Sequence, residues 1–242
     1  EYVPYNCLLP QRRDLRHELL SSEKTRRLHV VLIGDSNMRQ QHGVFKGWST
    51  NVATTYIPTN QGLVRRLPDI QRSLRLLQEG AAPETKFVIL FNAGLHDIAQ
   101  LCSRKWADFR RTYIHDSTSC GEHYQQSLIQ LVDLIQSFPA ELAVFQTTTA
   151  GWSKWGNFGF AWKPFLLQLL PLDTSFCAHF NEIAWSVMKE ADIPVLDSYW
   201  LTLARPDHRE VDVDNSIGKH LVHAGPQVYD SLVRQWVTTF LA

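Results

Sequence analysis

Short apolar runs recur along the chain, and between them apolar residues return at helical spacing. The first run, Leu28-His29-Val30-Val31-Leu32-Ile33-Gly34, is β-branched and almost continuous, as expected of a parallel strand buried on both faces. Phe87-Val88-Ile89-Leu90-Phe91 has the same character, and Glu141–Gln146 and Ile193–Leu196 are further candidates. Asn51–Ile57 is β-branched and aromatic, so it also reads as a strand, ending in the turn-forming stretch Pro58-Thr59-Asn60-Gln61-Gly62. Between these runs, Asn37–Trp48 is compatible with a helix despite Gly43 and Gly47. Leu67–Gln78 repeats Leu67, Ile70, Leu74 and Leu77, and Gly80 and Pro83 stop it. Tyr124–Phe138 repeats Leu128, Leu131, Leu134 and Ile135 and ends at Pro139. Asp173–Glu190 and Val228–Phe240 complete the set, while 98–120 is polar and irregular. Strands alternate with helices, and the chain has no internal repeat or linker. The economical fold is a single doubly wound, flavodoxin-like α/β sheet flanked by helices, spanning 28–242, with 1–27 as an N-terminal strap.

Composition narrows the partners. The 242 residues carry 24 basic and 24 acidic side chains. Neither a nucleic-acid backbone nor an anionic membrane surface is therefore expected as the main partner. No apolar run reaches the roughly 20 residues needed to cross a bilayer. The chain begins at Glu1 without Met, which leaves room for a trimmed signal peptide or a membrane anchor ahead of it. Of the cysteines Cys7, Cys102, Cys120 and Cys177, Cys102 and Cys120 bracket one polar loop. They are the expected bridge if the protein is secreted or resides in the Golgi or ER lumen. Free thiols in the cytoplasm are the competing reading, and no Asn-x-Ser/Thr sequon supports export. No Cys-x-x-Cys spacing points to a zinc knuckle or a thioredoxin-like site.

In an open α/β sheet, ligands bind beyond the carboxyl ends of the strands. Three polar clusters fall at such ends: Gly34-Asp35-Ser36, Asn60-Gln61-Gly62 and Asn92-Ala93-Gly94. A histidine pair, His220 and His223, precedes the final helix. A serine hydroxyl becomes a good nucleophile only when a base takes its proton. An ester carbonyl under attack needs donors for its developing charge. The chain offers a serine, backbone N–H groups, the Asn92 amide and histidines in an order that suits one shared site. Taken alone, Gly-Asp-Ser equally fits a strand-to-helix turn in which Asp35 or Ser36 caps the next helix.

Gly34-Asp35-Ser36, then Asn60-x-Gly62, then Asn92, then a late histidine resembles the SGNH (GDSL) hydrolase superfamily. The blocks Gly34-Asp-Ser-Asn-Met-Arg39 and Asn92-Ala-Gly-Leu-His-Asp97 are similar to its PC-esterase branch, which includes trichome-birefringence-like polysaccharide O-acetyltransferases. The resemblance runs from about Leu28 to the C-terminus. It implies the SGNH type of α/β fold, with Ser36 as nucleophile and the Ser36 N–H, Gly62 N–H and Asn92 side chain as oxyanion hole. A histidine ahead of the last helix would be the base, and no metal or organic cofactor is needed. The implied activity is that of a serine esterase or O-acyltransferase acting on O-acyl, above all O-acetyl, groups of a carbohydrate or a small ester.

One departure from that pattern matters. The family's Asp-x-x-His places an aspartate one turn before the histidine, but here the residue three before His223 is His220, and three before His220 is Ile217. Three explanations stay open. Asp214 or Asp197 orients the base; a Ser–His dyad operates with a backbone carbonyl fixing the tautomer; or the apparatus is degraded and the protein binds glycans or partners without turnover. His223 is favoured as base because it stands nearer the last helix, with His220 as its neighbour. Read as metal ligands, His220-x-x-His223 lacks an accompanying Cys or carboxylate cluster. Arg39 suits either an anionic group or a surface ion pair. His96 and Asp97 line the cleft or, for Asp97, cap the next segment. Asp35 braces the nucleophile turn. The aromatic, glycine-rich stretch from Gly151 to Trp162, with Trp152 and Trp155, reads as a wall for a sugar ring or acyl chain, or as a lid on the core.

Overall fold

The computed structural model describes residues 27–48, 51–101, 117–150, 174–204 and 224–241. The elements in order are β1 (Leu28–Gly34), α1 (Ser36–Trp48), β2 (Ala53–Pro58), α2 (Leu63–Gly80), β3 (Lys86–Phe91) and α3 (Leu95–Leu101). Then follow α4 (Ser117–Gln136), β4 (Ala140–Gln146), α5 (Thr174–Glu190), β5 (Val195–Leu196), α6 (Ser198–Leu203) and α7 (Pro226–Leu241). The described strands form one five-stranded sheet in the order β2-β1-β3-β4-β5. Every pairing is parallel, the doubly wound architecture expected from the alternation of elements.

The apolar run of β1 is continuous because the strand is covered on both sides. Val30, Val31, Leu32 and Ile33 are completely buried, and the alternation of a strand divides them between two cores. Val31 and Ile33 join Ile89, Phe91 and Phe145 beneath α2, α4 and α5, with Ile70, Leu128, Leu131 and Phe180. Val30 and Leu32 join Leu90 and Val144 beneath α1 and α7, with Met38, Phe45, Val233 and Trp236. Both layers thus close over β1 and β3, and their carboxyl ends emerge side by side.

Several boundaries differ from the sequence expectation for identifiable reasons. The second helix begins at Leu63 rather than Leu67 and holds Pro68 inside it. Gly62 lends it no side-chain cap; instead the first helical N–H, at Leu63, donates to the Asp97 carboxylate at 2.7 Å. A cap supplied from 34 residues away leaves no local signature. The segment 98–101 continues α3 instead of being irregular, and α4 starts at Ser117, before the expected Tyr124. The strand expected over 51–57 runs from Ala53 to Pro58, and the strand expected from Ile193 is the short β5. Helix α6, which follows β5 at once, has no counterpart in the periodicity; Asp197 caps it through Oδ1, which accepts from the Tyr199 and Trp200 N–H groups. Apart from Arg27, the expected strap lies outside the described residues. Cys120 is disulfide-bonded, which removes the free-thiol reading for that residue, and its expected partner Cys102 also lies outside. No helix among the described residues is long and apolar enough to cross a membrane.

Candidate active site

The end of β1 is fastened to its neighbours on both sides. The Thr59 N–H donates to the Gly34 carbonyl at 2.7 Å, and the Asn92 N–H donates to the Ile33 carbonyl at 2.8 Å. Chain direction and pairing therefore bring all three strand-end clusters to one edge of the sheet. Asp35 follows as a single buried residue, and α1 starts at Ser36, which is partly exposed.

Gly34 is required by close approach. A Cβ there would stand 2.6 Å from the Met38 Cβ and 2.7 Å from the Asn92 Oδ1. In its absence, Asn92 lies against the Asp35–Ser36 turn and its Oδ1 accepts the Asp35 N–H at 3.3 Å. An amide N–H can only donate, so this bond assigns the oxygen of the Asn92 carboxamide and leaves Nδ2 as its donor end. An amide oriented in this way is the part an oxyanion hole needs.

The turn is braced from three further directions. The Asp35 Oδ1 accepts the Asn37 N–H at 2.8 Å, so the expected bracing role of Asp35 takes the form of an Asx turn across Ser36. The Tyr56 hydroxyl is shared between the Gly34 and Asp35 carbonyls at 3.0 and 2.9 Å, and burial pushes its phenol pKa well up. The Asn37 side chain reaches Thr149 and Tyr229.

Asp97 ties the second and third clusters together. Its Oδ1 accepts the Leu63 N–H at 2.7 Å and its Oδ2 the Gly94 N–H at 3.2 Å. Instead of capping the segment after it, as expected, Asp97 lies inside α3, reaching back to the Gly94 N–H before that helix and across to the first N–H of α2. The carboxyl is fully buried, and desolvation pushes its pKa up to about 7 against the pull of its backbone donors, with Asp35 adding to the rise. Gly62 adopts φ 77°, and a Cβ on it would meet the Asp97 Oδ1 and the Gln100 Oε1 at 3.2 Å each. Its N–H donates to the Thr59 carbonyl at 2.9 Å, closing the turn. That bond competes with the oxyanion role expected of the Gly62 N–H. Behind the third cluster, the Tyr124 hydroxyl donates to the Ala93 carbonyl at 3.1 Å.

Bonds at Gly34, Asp35, Gly62, Asn92 and Asp97 thus hold the three strand-end clusters together around Ser36. Arg39 is exposed one turn into α1, and His96 is half-buried in the first turn of α3. His220, His223, Asp214, Trp152 and Trp155 lie outside the described residues. Asp197 is engaged as the cap of α6, with the Thr147 hydroxyl also donating to its Oδ1 at 3.1 Å. Among the described residues no cluster of three metal-ligating side chains occurs. Sequence reasoning missed Tyr56, Asn37 and Tyr229. For Tyr56 the missing information is register, since only the pairing of Tyr56 with Leu32 brings its hydroxyl alongside the turn.

No protein-family model matches the chain, and no curated protein matches its sequence. Solved structures do resemble it. An inferred acylhydrolase from Bacteroides fragilis is 18% identical, covers 100% of both chains and superposes with a TM-score of 0.58. An inferred SGNH hydrolase from Slackia heliotrinireducens is 14% identical over 88% of this chain and 98% of its own, with a TM-score of 0.56. The acetyl xylan esterase AlAXEase is 11% identical over 87% and 98%, with a TM-score of 0.51. At these identities the likeness concerns architecture, and with the parallel five-stranded sheet it leads to one conclusion: the chain has the fold of the SGNH hydrolases.

Proposed function

We propose that the protein is a serine-dependent esterase or O-acyltransferase that forms an acyl-enzyme on Ser36. The observation that carries this reading is the Asn92 carboxamide, whose Oδ1 is held by the Asp35 N–H beside Ser36, which leaves Nδ2 as its donor. The SGNH fold, which an acetyl xylan esterase shares, supports O-acetyl carbohydrate as the substrate class. The two blocks at Gly34–Arg39 and Asn92–Asp97 support a place in the PC-esterase branch.

In this mechanism Ser36 Oγ attacks the acyl carbon while His223 accepts its proton. The Ser36 N–H at the start of α1 and the Asn92 Nδ2 stabilise the tetrahedral oxyanion, and the Gly62 N–H joins them by exchanging its bond to Thr59. Collapse of the intermediate expels the alkoxide, which takes the proton back from His223. Water or an acceptor sugar hydroxyl then releases the acyl group from Ser36, with His223 again the base. His220 and Asp214 are the neighbours in sequence that orient it, and Arg39, His96, Trp152 and Trp155 contact substrate. The disulfide at Cys120 favours a secreted or lumenal site of action.

The test is labelling of Ser36 by a serine-directed fluorophosphonate together with p-nitrophenyl acetate hydrolysis. Wild type is expected to show both and Ser36→Ala neither. Asn92→Ala is expected to lower kcat by about 10²–10³, the usual effect of losing one oxyanion donor. A second reading, a glycan-binding protein without turnover, is favoured by the lack of Asp-x-x-His; wild type that neither labels nor hydrolyses above the Ser36→Ala background establishes it instead.

A further inference from the structure

Asn37, the residue after the nucleophile, is buried, and each of its polar groups is used. Its N–H donates to Asp35 Oδ1 at 2.8 Å, its Nδ2 to Thr149 Oγ1 at 3.3 Å, and its Oδ1 accepts the Tyr229 hydroxyl at 2.6 Å. The same Tyr229 oxygen accepts the Ala224 N–H at 3.1 Å. Tyr229 and Ala224 are themselves buried, at 4% and 1% exposure. The chain of bonds therefore runs from the turn beneath Ser36, through one phenol, to the backbone just before α7, across 192 positions of sequence. A second arm reaches the exit of β4 at Thr149, which is held in turn by Asn181 on Thr148 and by Thr202 on the Ala150 N–H.

We infer that Asn37 and Tyr229 form a positioning pair that sets the entry of α7 against the nucleophile turn. This rests on the esterase reading, in which His223 supplies the base. The Ala224 N–H belongs to the peptide bond that follows His223 in sequence, and a planar peptide unit moves as one body. Anchoring that N–H to Asn37 through Tyr229 keys the base-bearing chain to the residue beside the nucleophile. The link is buried and short, so it holds its geometry without competition from water. Both are positioning residues, which act through what they hold.

The experiment compares wild type, Tyr229→Phe, Asn37→Ala, the double variant and Val233→Ala. Val233 packs in the apolar layer under α7 and has no part in the polar chain, so it controls for loosening of the helix. Each is assayed below its own thermal midpoint for p-nitrophenyl acetate hydrolysis and for the rate of Ser36 labelling by the fluorophosphonate. Tyr229→Phe removes one oxygen and is expected to lower kcat and the labelling rate together by roughly 10–100-fold, as a misplaced base does. KM should stay within about twofold, and Val233→Ala should keep wild-type kcat. The double variant should be no slower than Asn37→Ala alone, because the two residues act as a unit. Tyr229→Phe with wild-type kcat and labelling overturns the inference, as does a double variant slowed by the product of the single effects. An equal loss of kcat in Val233→Ala also overturns it. In those cases wild type still labels and the esterase reading stands; an unlabelled wild type overturns both.

Discussion

At the scale of single residues, the candidate site depends on side chains that are absent as much as on those present. Gly34 lets Asn92 approach the Asp35–Ser36 turn because nothing projects between them. Gly34→Ala would place a methyl 2.7 Å from the Asn92 Oδ1 and 2.6 Å from the Met38 Cβ. Both neighbours are buried and the Met38 Cβ is fixed to α1, so the start of α1 and the Asn92 carboxamide both have to shift. The expected cost is about 1–3 kcal/mol of stability, read from chemical denaturation. The loss of activity should approach that of Asn92→Ala. A Gly34→Ala protein of full activity would show that the pinned carboxamide is dispensable. The serine, the glycine and the asparagine were all legible in the sequence as residue types at strand ends. Their contact was not, because it arises from parallel pairing of β1 with β3.

At the scale of elements, the starts of α6 and α2 both rest on carboxylates, and the two cases differ in what sequence can show. Helix α6 is capped by its own preceding residue, Asp197, through the Tyr199 and Trp200 N–H groups. Asp197→Ala should cost about 1 kcal/mol, the usual value of an N-cap, measured as a shift in the urea midpoint. Because the Thr147 hydroxyl also donates to this carboxylate, the change should loosen the exit of β4 as well, raising amide exchange at Thr147 and Thr148. Unchanged exchange there would confine Asp197 to capping. Helix α2 is started by Asp97 from the first turn of α3. The apolar repeat at Leu67, Ile70, Leu74 and Leu77 locates the body of that helix, but its first turn is a tertiary product.

At the scale of the whole molecule, burying Asp97 couples folding to pH. Its carboxyl titrates at about 7 in the folded chain against an ordinary 3.8. Between those values the folded state holds a proton that the unfolded state has lost. Stability from this group is therefore complete below about pH 4, falls as pH rises toward 7, and levels off above it. The span corresponds to about 4 kcal/mol as an upper figure. Burial of His29 and His42 lowers their pKa values and works in the opposite direction. The measurement is accordingly the difference in unfolding free energy between wild type and Asp97→Asn across pH 4–8. That difference should shift in favour of the variant as pH rises, and a flat difference would mean that Asp97 titrates in the ordinary carboxylate range.

Much of the architecture follows from patterns short enough to lie within one element. Continuous apolar β-branched runs require strands covered on both faces, their alternation with amphipathic segments requires crossover helices, and together these dictate a doubly wound sheet. Gly-Asp-Ser at the end of the first such strand, with the clusters at the ends of the next two, points to the carboxyl edge of that sheet as the place for a site. What that edge contains was decided by contacts between residues far apart in the chain. Asp97 caps α2, Tyr56 grips the Gly34 and Asp35 carbonyls, and Tyr229 bridges Asn37 to Ala224. Each satisfies a buried polar group whose partner is chosen by strand order and register, and neither quantity leaves a mark on local sequence.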